Sequence, residues 1–184
     1  MTNRPVVVLD ACVLIPIRLA TTLLWLAEAG LFQPLWSESI LDEAQRNLPK
    51  VGVTSEQARL RIAMMREAFG AEALVDDFDY LIEKMQCDPK DRHVLAVAVR
   101  GGADMLATFN LKDFPDEAAA PYGIGVLHPD ALLLRLLTEH AETVVGVIKR
   151  EVRAFRNPPE TITQFLESLR STVPRFAAQA TDTS

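Results

Sequence analysis

The 184-residue sequence holds only two cysteines and eight glycines, and aromatic residues make up 7%. Cys12 and Cys87 have no companion at zinc-ligand spacing, which excludes a zinc knuckle or a disulfide framework. A single bridge between them stays open, but two free buried thiols suit a reducing cytosol better. Scarce aromatics argue against a surface that stacks bases on rings. Positive charge is short as well: 19 Lys and Arg against 25 Asp and Glu give a net charge of −6. Such a chain is no coat for bulk nucleic acid, although local binding remains open where metal ions supply charge. No long apolar run exists. Val6 to Leu9 is cut by Asp10, and Arg18 interrupts the next apolar stretch, so neither a signal peptide nor a membrane span is expected, and the reading is cytoplasmic. There is no Gly-rich phosphate loop, because Gly101-Gly102 reads as a helix stop. His93, His128 and His140 share no metal-ligand spacing.

What remains is a globular composition, 49% hydrophobic and 24% charged, at a length that suits one domain with a small appendage. Val6-Val7-Val8-Leu9 has no alternation and reads as a strand buried on both faces. A helix is expected over 16–29, then a short strand over 33–36. Ser37 caps a helix to about Leu48, and Thr54 with Gln57 forms a capping box for a helix reaching Phe69. A shorter acidic helix is expected over 76–86. Asp88-Pro89-Lys90-Asp91 reads as a helix start with Pro at the first position, and the apolar run Val94 to Val99 makes that helix buried. Strands are expected over 105–109 and 125–127, with a helix opening at Pro129-Asp130. The two tryptophans and Met64-Met65 read as packing residues. Strands alternating with helices imply an α/β fold with a mainly parallel sheet, whose functional crevice lies at the carboxyl ends of the strands.

Four acids fall near strand ends or helix starts: Asp10 after the first strand, Glu43 early in the helix after the second, Asp91 in the first turn of the buried helix, and Asp113 after the strand 105–109, with Asn110 closer still. Carboxylates meeting at one sheet edge would repel unless cations bound between them, and hard oxygen donors select Mg²⁺ or Mn²⁺. Two such ions can activate water and stabilise the leaving oxygen of a phosphodiester. Each acid also has a structural reading: Asp10 a turn or cap, Glu43 a solvated position beside the Ile40, Leu41, Ala44, Leu48 stripe, Asp91 the third residue of a helix capped by Asp88, and Asp113 a loop acid before Pro115.

Val8-Leu9-Asp10, the stretch Ser37 to Glu43, the stretch Asp88 to Ala98 and the stretch Gly102 to Pro115 follow the pattern of PIN-domain nucleases. The sequence resembles most the VapC-type toxins of bacterial toxin–antitoxin pairs, over roughly residues 5–137, and its tail resembles a helical extension found on some of them. The resemblance implies a PIN-like three-layer α/β/α fold, with a nuclease domain over 1–137 and a C-terminal helical extension over 138–184. It implies a Mg²⁺- or Mn²⁺-dependent endoribonuclease whose water attacks phosphorus in line. It also implies a cognate antitoxin and pairing as a homodimer, with no membrane partner. Carried over residue by residue, the metal-binding acids are Asp10, Glu43 and Asp91, with Asp113 as the fourth and Asn110 as a neutral helper. Thr108 is a strand-end hydroxyl that orients an acid or a water. Ala11 stands where relatives commonly carry Thr or Ser.

Lys90, Arg92 and Lys112 flank the acids and are candidates for phosphate contact. Lys149, Arg153 and Arg156 fall on one side of an amphipathic helix, with Val144, Val145, Ile148, Val152 and Phe155 on another and Arg150 nearby. That stripe is either a solvated face, a phosphate track, or a dock for an acidic antitoxin segment. The alternative to the enzyme is a catalytically silent PIN-like module that binds protein or RNA. A phosphoacceptor domain would need paired acids at the first strand, and a haloacid-type phosphatase needs Asp-x-Asp where this chain has Cys12 in third place.

Overall fold

The structure, a computed structural model, describes residues 4–154 and 158–183. Its elements are β1 (Val6–Leu9), α1 (Ala11–Leu14), α2 (Ile17–Glu28), β2 (Gln33–Leu35), α3 (Glu38–Asn47), α4 (Ser55–Phe69), α5 (Asp79–Ile82) and α6 (Arg92–Arg100). They continue as β3 (Met105–Ala107), α7 (Asp116–Ala119), β4 (Gly125–Leu127), α8 (Pro129–Glu139), α9 (Ala141–Ala154), α10 (Ile162–Leu169) and α11 (Pro174–Thr183). The chain divides into two compact units. One comprises 1–15 and 32–128, the other 16–31 and 129–184.

The first unit is built on a four-stranded sheet of order β2-β1-β3-β4 in which every pairing is parallel. Consecutive side chains of a strand point to opposite faces. Val7, Val8 and Leu9 are nevertheless all buried, as are Met105, Leu106 and Ala107, so both faces of the sheet are covered. This is the α/β/α layering expected of the sequence. Leu9, Ala107 and Leu127 stand in one row, which sets Asp10, Thr108 and His128 side by side just beyond it. Pro34 lies in the edge strand β2, where a missing N–H costs least.

The helix signals hold where capping is explicit. The Ser37 hydroxyl accepts from the Ile40 amide at 3.3 Å, and Thr54 and Gln57 form a reciprocal box at 3.1 and 2.9 Å. Val94 to Ala98 are buried through the length of α6. Four expectations need correction. The buried helix starts at Arg92, not Pro89: the Asp88 carboxylate accepts from the Lys90 amide at 3.0 Å and closes a turn, leaving Asp91 at the N-cap position. The acidic helix over 76–86 shrinks to the single turn of α5, after Asp77, which takes a φ of 54° that a helix cannot carry. The strand over 105–109 stops at Ala107, because the Phe109 and Asn110 amides bond to side chains and not to a neighbouring strand. Met64 is 60% exposed, since α4 buries Ala58, Ile62 and Met65 on another face.

The second unit is helical. In it α2 buries Leu19, Leu23 and Leu26, spaced for one helix face, and packs on α9 and α10. Thr22 donates to the buried Glu151 of α9 at 2.9 Å, and Arg18 reaches Glu160 at 2.7 Å. Asp130 of α8 accepts from the Phe176 and Arg175 amides at 2.8 and 3.3 Å, satisfying the start of α11. Residues 129–137, expected from the sequence to belong to the first domain, form most of α8 and lie in this unit.

Candidate active site

Asp10 comes directly after β1, the strand flanked by β2 and β3, and its amide donates to the Ala107 carbonyl at 3.1 Å. The residue is 4% exposed. Its Oδ2 accepts from the Thr108 hydroxyl at 2.7 Å and from the Cys12 thiol at 3.1 Å. Thr108 in turn accepts from the Asn110 amide at 3.0 Å, and Cys12 from the Phe109 amide at 3.4 Å. Burial, then the Asp10 charge, pushes the Cys12 thiol up to about 12, so it stays protonated and able to donate.

Asp91 is half-buried at the N-cap of α6, and its side chain makes no capping hydrogen bond there. Its carboxyl is pushed up to about 6, by burial first and then by the charges of Asp10, Asp113 and Asp88, with His93 pulling the other way. Asp10, Asp91 and Asp113 therefore share one electrostatic neighbourhood. Asp113 closes a short 3-10 turn, Leu111–Asp113, and its carbonyl accepts from the Asp88 amide at 3.1 Å, tying that turn to the loop before α6.

Glu43 stands apart from this trio. It is 43% exposed on α3, and its Oε2 lies 3.8 Å from Nε2 of His93, whose Nδ1 contacts the Lys90 carbonyl at 2.9 Å. Among the described residues, no three His, Cys, Asp or Glu side chains converge closely enough to cage an ion as they stand. The donor chemistry nevertheless fits a hard divalent cation. The candidate ligands are carboxylate oxygens, and Asp91 carries repulsion that a cation would relieve.

Asn110 is exposed and takes part through its backbone. Lys90 and Lys112 are exposed, while Arg92 is half-buried with Nη1 3.5 Å from Glu83. In the second unit Lys149 is half-buried and lines a cavity of about 330 Å³ with Glu142, Val145 and Thr183, whereas Arg153 is exposed. Arg156 and Phe155 lie outside the described residues. The apolar face of α9 uses Val147 in place of Val145, and Arg150 sits over the Trp25 ring at 4.6 Å. Sequence reasoning does not single out Cys12 or Asp88 for the site, and the available signal for Cys12 is its spacing, two residues past Asp10.

A PIN-domain family model matches residues 6–112, the segment that carries all these acids but Asp113. The chain belongs to the PIN-domain family. A second model, the VapC50 C-terminal domain, matches residues 129–182 of this PIN protein. A relative from Mycobacterium tuberculosis (strain ATCC 25618 / H37Rv), named "Putative ribonuclease VapC50", is 47% identical over 103 residues. That stretch is 56% of this chain and 61% of the relative, so the match spans less than two thirds of the relative's length. No solved structure matches. Within the PIN unit Asp10 and Asp91 thus fall inside the matched segment, and the second match coincides with the helices from α8 onward.

Proposed function

We propose that the chain is a Mg²⁺- or Mn²⁺-dependent endoribonuclease, the toxin of a toxin–antitoxin pair acting in the cytoplasm. The observation that carries this reading is the Asp91 carboxyl, raised to about 6 by burial first and then by the charges of Asp10, Asp113 and Asp88 around it. Mutually repelling carboxylates are unfavourable for folding alone and are suited to a cation. Membership of the PIN family and the name of the relative support RNA as substrate. Asp10, Asp91 and Asp113 would hold the cation, with Glu43 completing the set by a turn of its exposed side chain. When bound, a divalent ion supplies a lowered water pKa and charge neutralisation at a phosphodiester. Thr108 fixes the orientation of Asp10. Lys90, Arg92 and Lys112 contact backbone phosphates, which position the RNA without reading its sequence. A cognate antitoxin and pairing as a homodimer belong to the same reading.

The test is cleavage of pooled structured RNAs by the full chain with Mg²⁺ or Mn²⁺, with and without chelator. Metal-dependent cutting is the expected result. RNA or protein binding with neither cutting nor metal binding by calorimetry would instead identify a catalytically silent PIN module.

A further inference from the structure

Asp10 is held by two side chains that arrive from different elements and end on the same atom. Cys12 of α1 and Thr108 after β3 both donate to Oδ2, at 3.1 and 2.7 Å. Each has a single proton, and the carboxylate oxygen, which can only accept, is the nearer partner of both; the contact between the Cys12 sulfur and the Thr108 oxygen is longer, at 3.4 Å. Behind each donor stands a backbone amide: Phe109 donates to the Cys12 sulfur and Asn110 to the Thr108 oxygen. Two parallel relays thus run from successive amides, through one side chain each, onto one carboxylate oxygen. Among the described residues no donor reaches Oδ1.

We propose that Cys12 is a positioning residue for Asp10. Its thiol, acting with Thr108, fixes Oδ2 so that Oδ1 is the oxygen offered to a cation, and it couples Asp10 to the loop that leads to Asp113. The residue directly after Asp10 is Ala11, which has no donor, and the next helical position supplies one. Removing a partner that orients a metal ligand typically weakens metal affinity or activity by 10–100-fold. A thiol is a weak donor, so the lower end applies. This role rests on the proposed function above.

The experiment compares the full-length parent with Cys12→Ser and Cys12→Ala, measuring Mn²⁺ binding by calorimetry and kcat and KM on a cleaved RNA. Cys12→Ala is expected to bind Mn²⁺ about 10-fold more weakly and to lose kcat with an unchanged KM. Cys12→Ser keeps a donor and should stay within about 3-fold of the parent. Should Cys12→Ala fail to fold, Cys12→Val, which fills the space without a donor, takes its place with the same expectation. Parent-like Mn²⁺ binding by Cys12→Ala, or equal losses in Cys12→Ser and Cys12→Ala, would overturn the positioning role. A parent that neither binds Mn²⁺ nor cuts RNA would overturn the proposed function, and this role with it.

Discussion

Asp91 illustrates how a side chain can be costly to the fold and still be kept. Its folded pKa of about 6 lies above the ordinary value of 3.8. Between those values the folded state holds the proton more tightly than the unfolded chain, so stability falls as pH rises through that window and the penalty is complete above about pH 6. Asp91→Asn removes the charge and nearly keeps the shape. In chelator it should raise stability at pH 7 by about 1 kcal/mol, after allowance for solvent screening. Near pH 4 the gain should vanish. Thermal melts at the two pH values check this, and a loss at pH 7 would show that the carboxylate serves the start of α6 instead. At Asp10 the expected outcome concerns chemistry. Asp10→Asn should abolish cleavage and the rise in melting temperature expected of the parent with Mn²⁺, because a ligand that binds only the folded state stabilises it. A melt of the variant that still responds fully to Mn²⁺ would remove Asp10 from the ligand set. The positions of these acids were legible in the sequence because a PIN pattern fixes them in order. Their hydrogen bonds were not. Cys12 reaches Asp10 only because α1 starts at once after β1, and Thr108 reaches it from almost a hundred residues away.

At the scale of elements, glycine separates what sequence shows from what packing decides. Gly101-Gly102 reads as a helix stop, and Gly102, at φ +62°, does end the segment after α6. Gly101 has an ordinary conformation and a different task. A Cβ there would stand 2.5 Å from the Leu35 side chain and 3.1 Å from Val75 and from the Val97 carbonyl. Gly101→Ala should therefore destabilise by about 1–3 kcal/mol through overpacking, although alanine is the better helix former. Denaturant melts measure it, and a neutral or stabilising result would mean that Leu35 moves aside freely. The same limit explains the other departures from expectation. Explicit caps at Ser37 and Thr54 announced α3 and α4, since capping is local chemistry. The start of α6 was misplaced because Asp88 and Asp91 are both competent caps, and the choice between them was made by the turn that Asp88 closes on Lys90.

For the molecule as a whole, the net charge of −6 places any attraction to RNA on a few local cations. Arg153 is exposed, while Lys149 is half-buried at its cavity, so the stripe on α9 is not wholly a free surface. Changing Lys149 and Arg153 to Glu should leave Mn²⁺ binding intact. It should weaken RNA or antitoxin binding and flatten its salt dependence, since fewer counterions are released. Affinities at two salt concentrations decide it. An unchanged slope for both partners would leave Lys90, Arg92 and Lys112 as the remaining candidates. The amphipathic pattern of α9 was readable in the sequence, while the helical tail as a whole was implied only by the family resemblance. That α2 joins it was not, because nothing local to residues 17–28 states which distant helix will cover Leu19, Leu23 and Leu26.

The placement of α2 has a consequence during synthesis. The helices that cover this one, α9 and α10, are encoded more than a hundred residues later. At about 5–20 residues per second, synthesis from residue 32 to residue 169 takes roughly 7–28 s, during which the apolar face of α2 has no native cover. The second unit thus stays incomplete until α9 and α10 have been synthesised. A message truncated after residue 128 should yield a chain that aggregates rather than a shorter enzyme, which expression of residues 1–128 and a solubility assay would reveal.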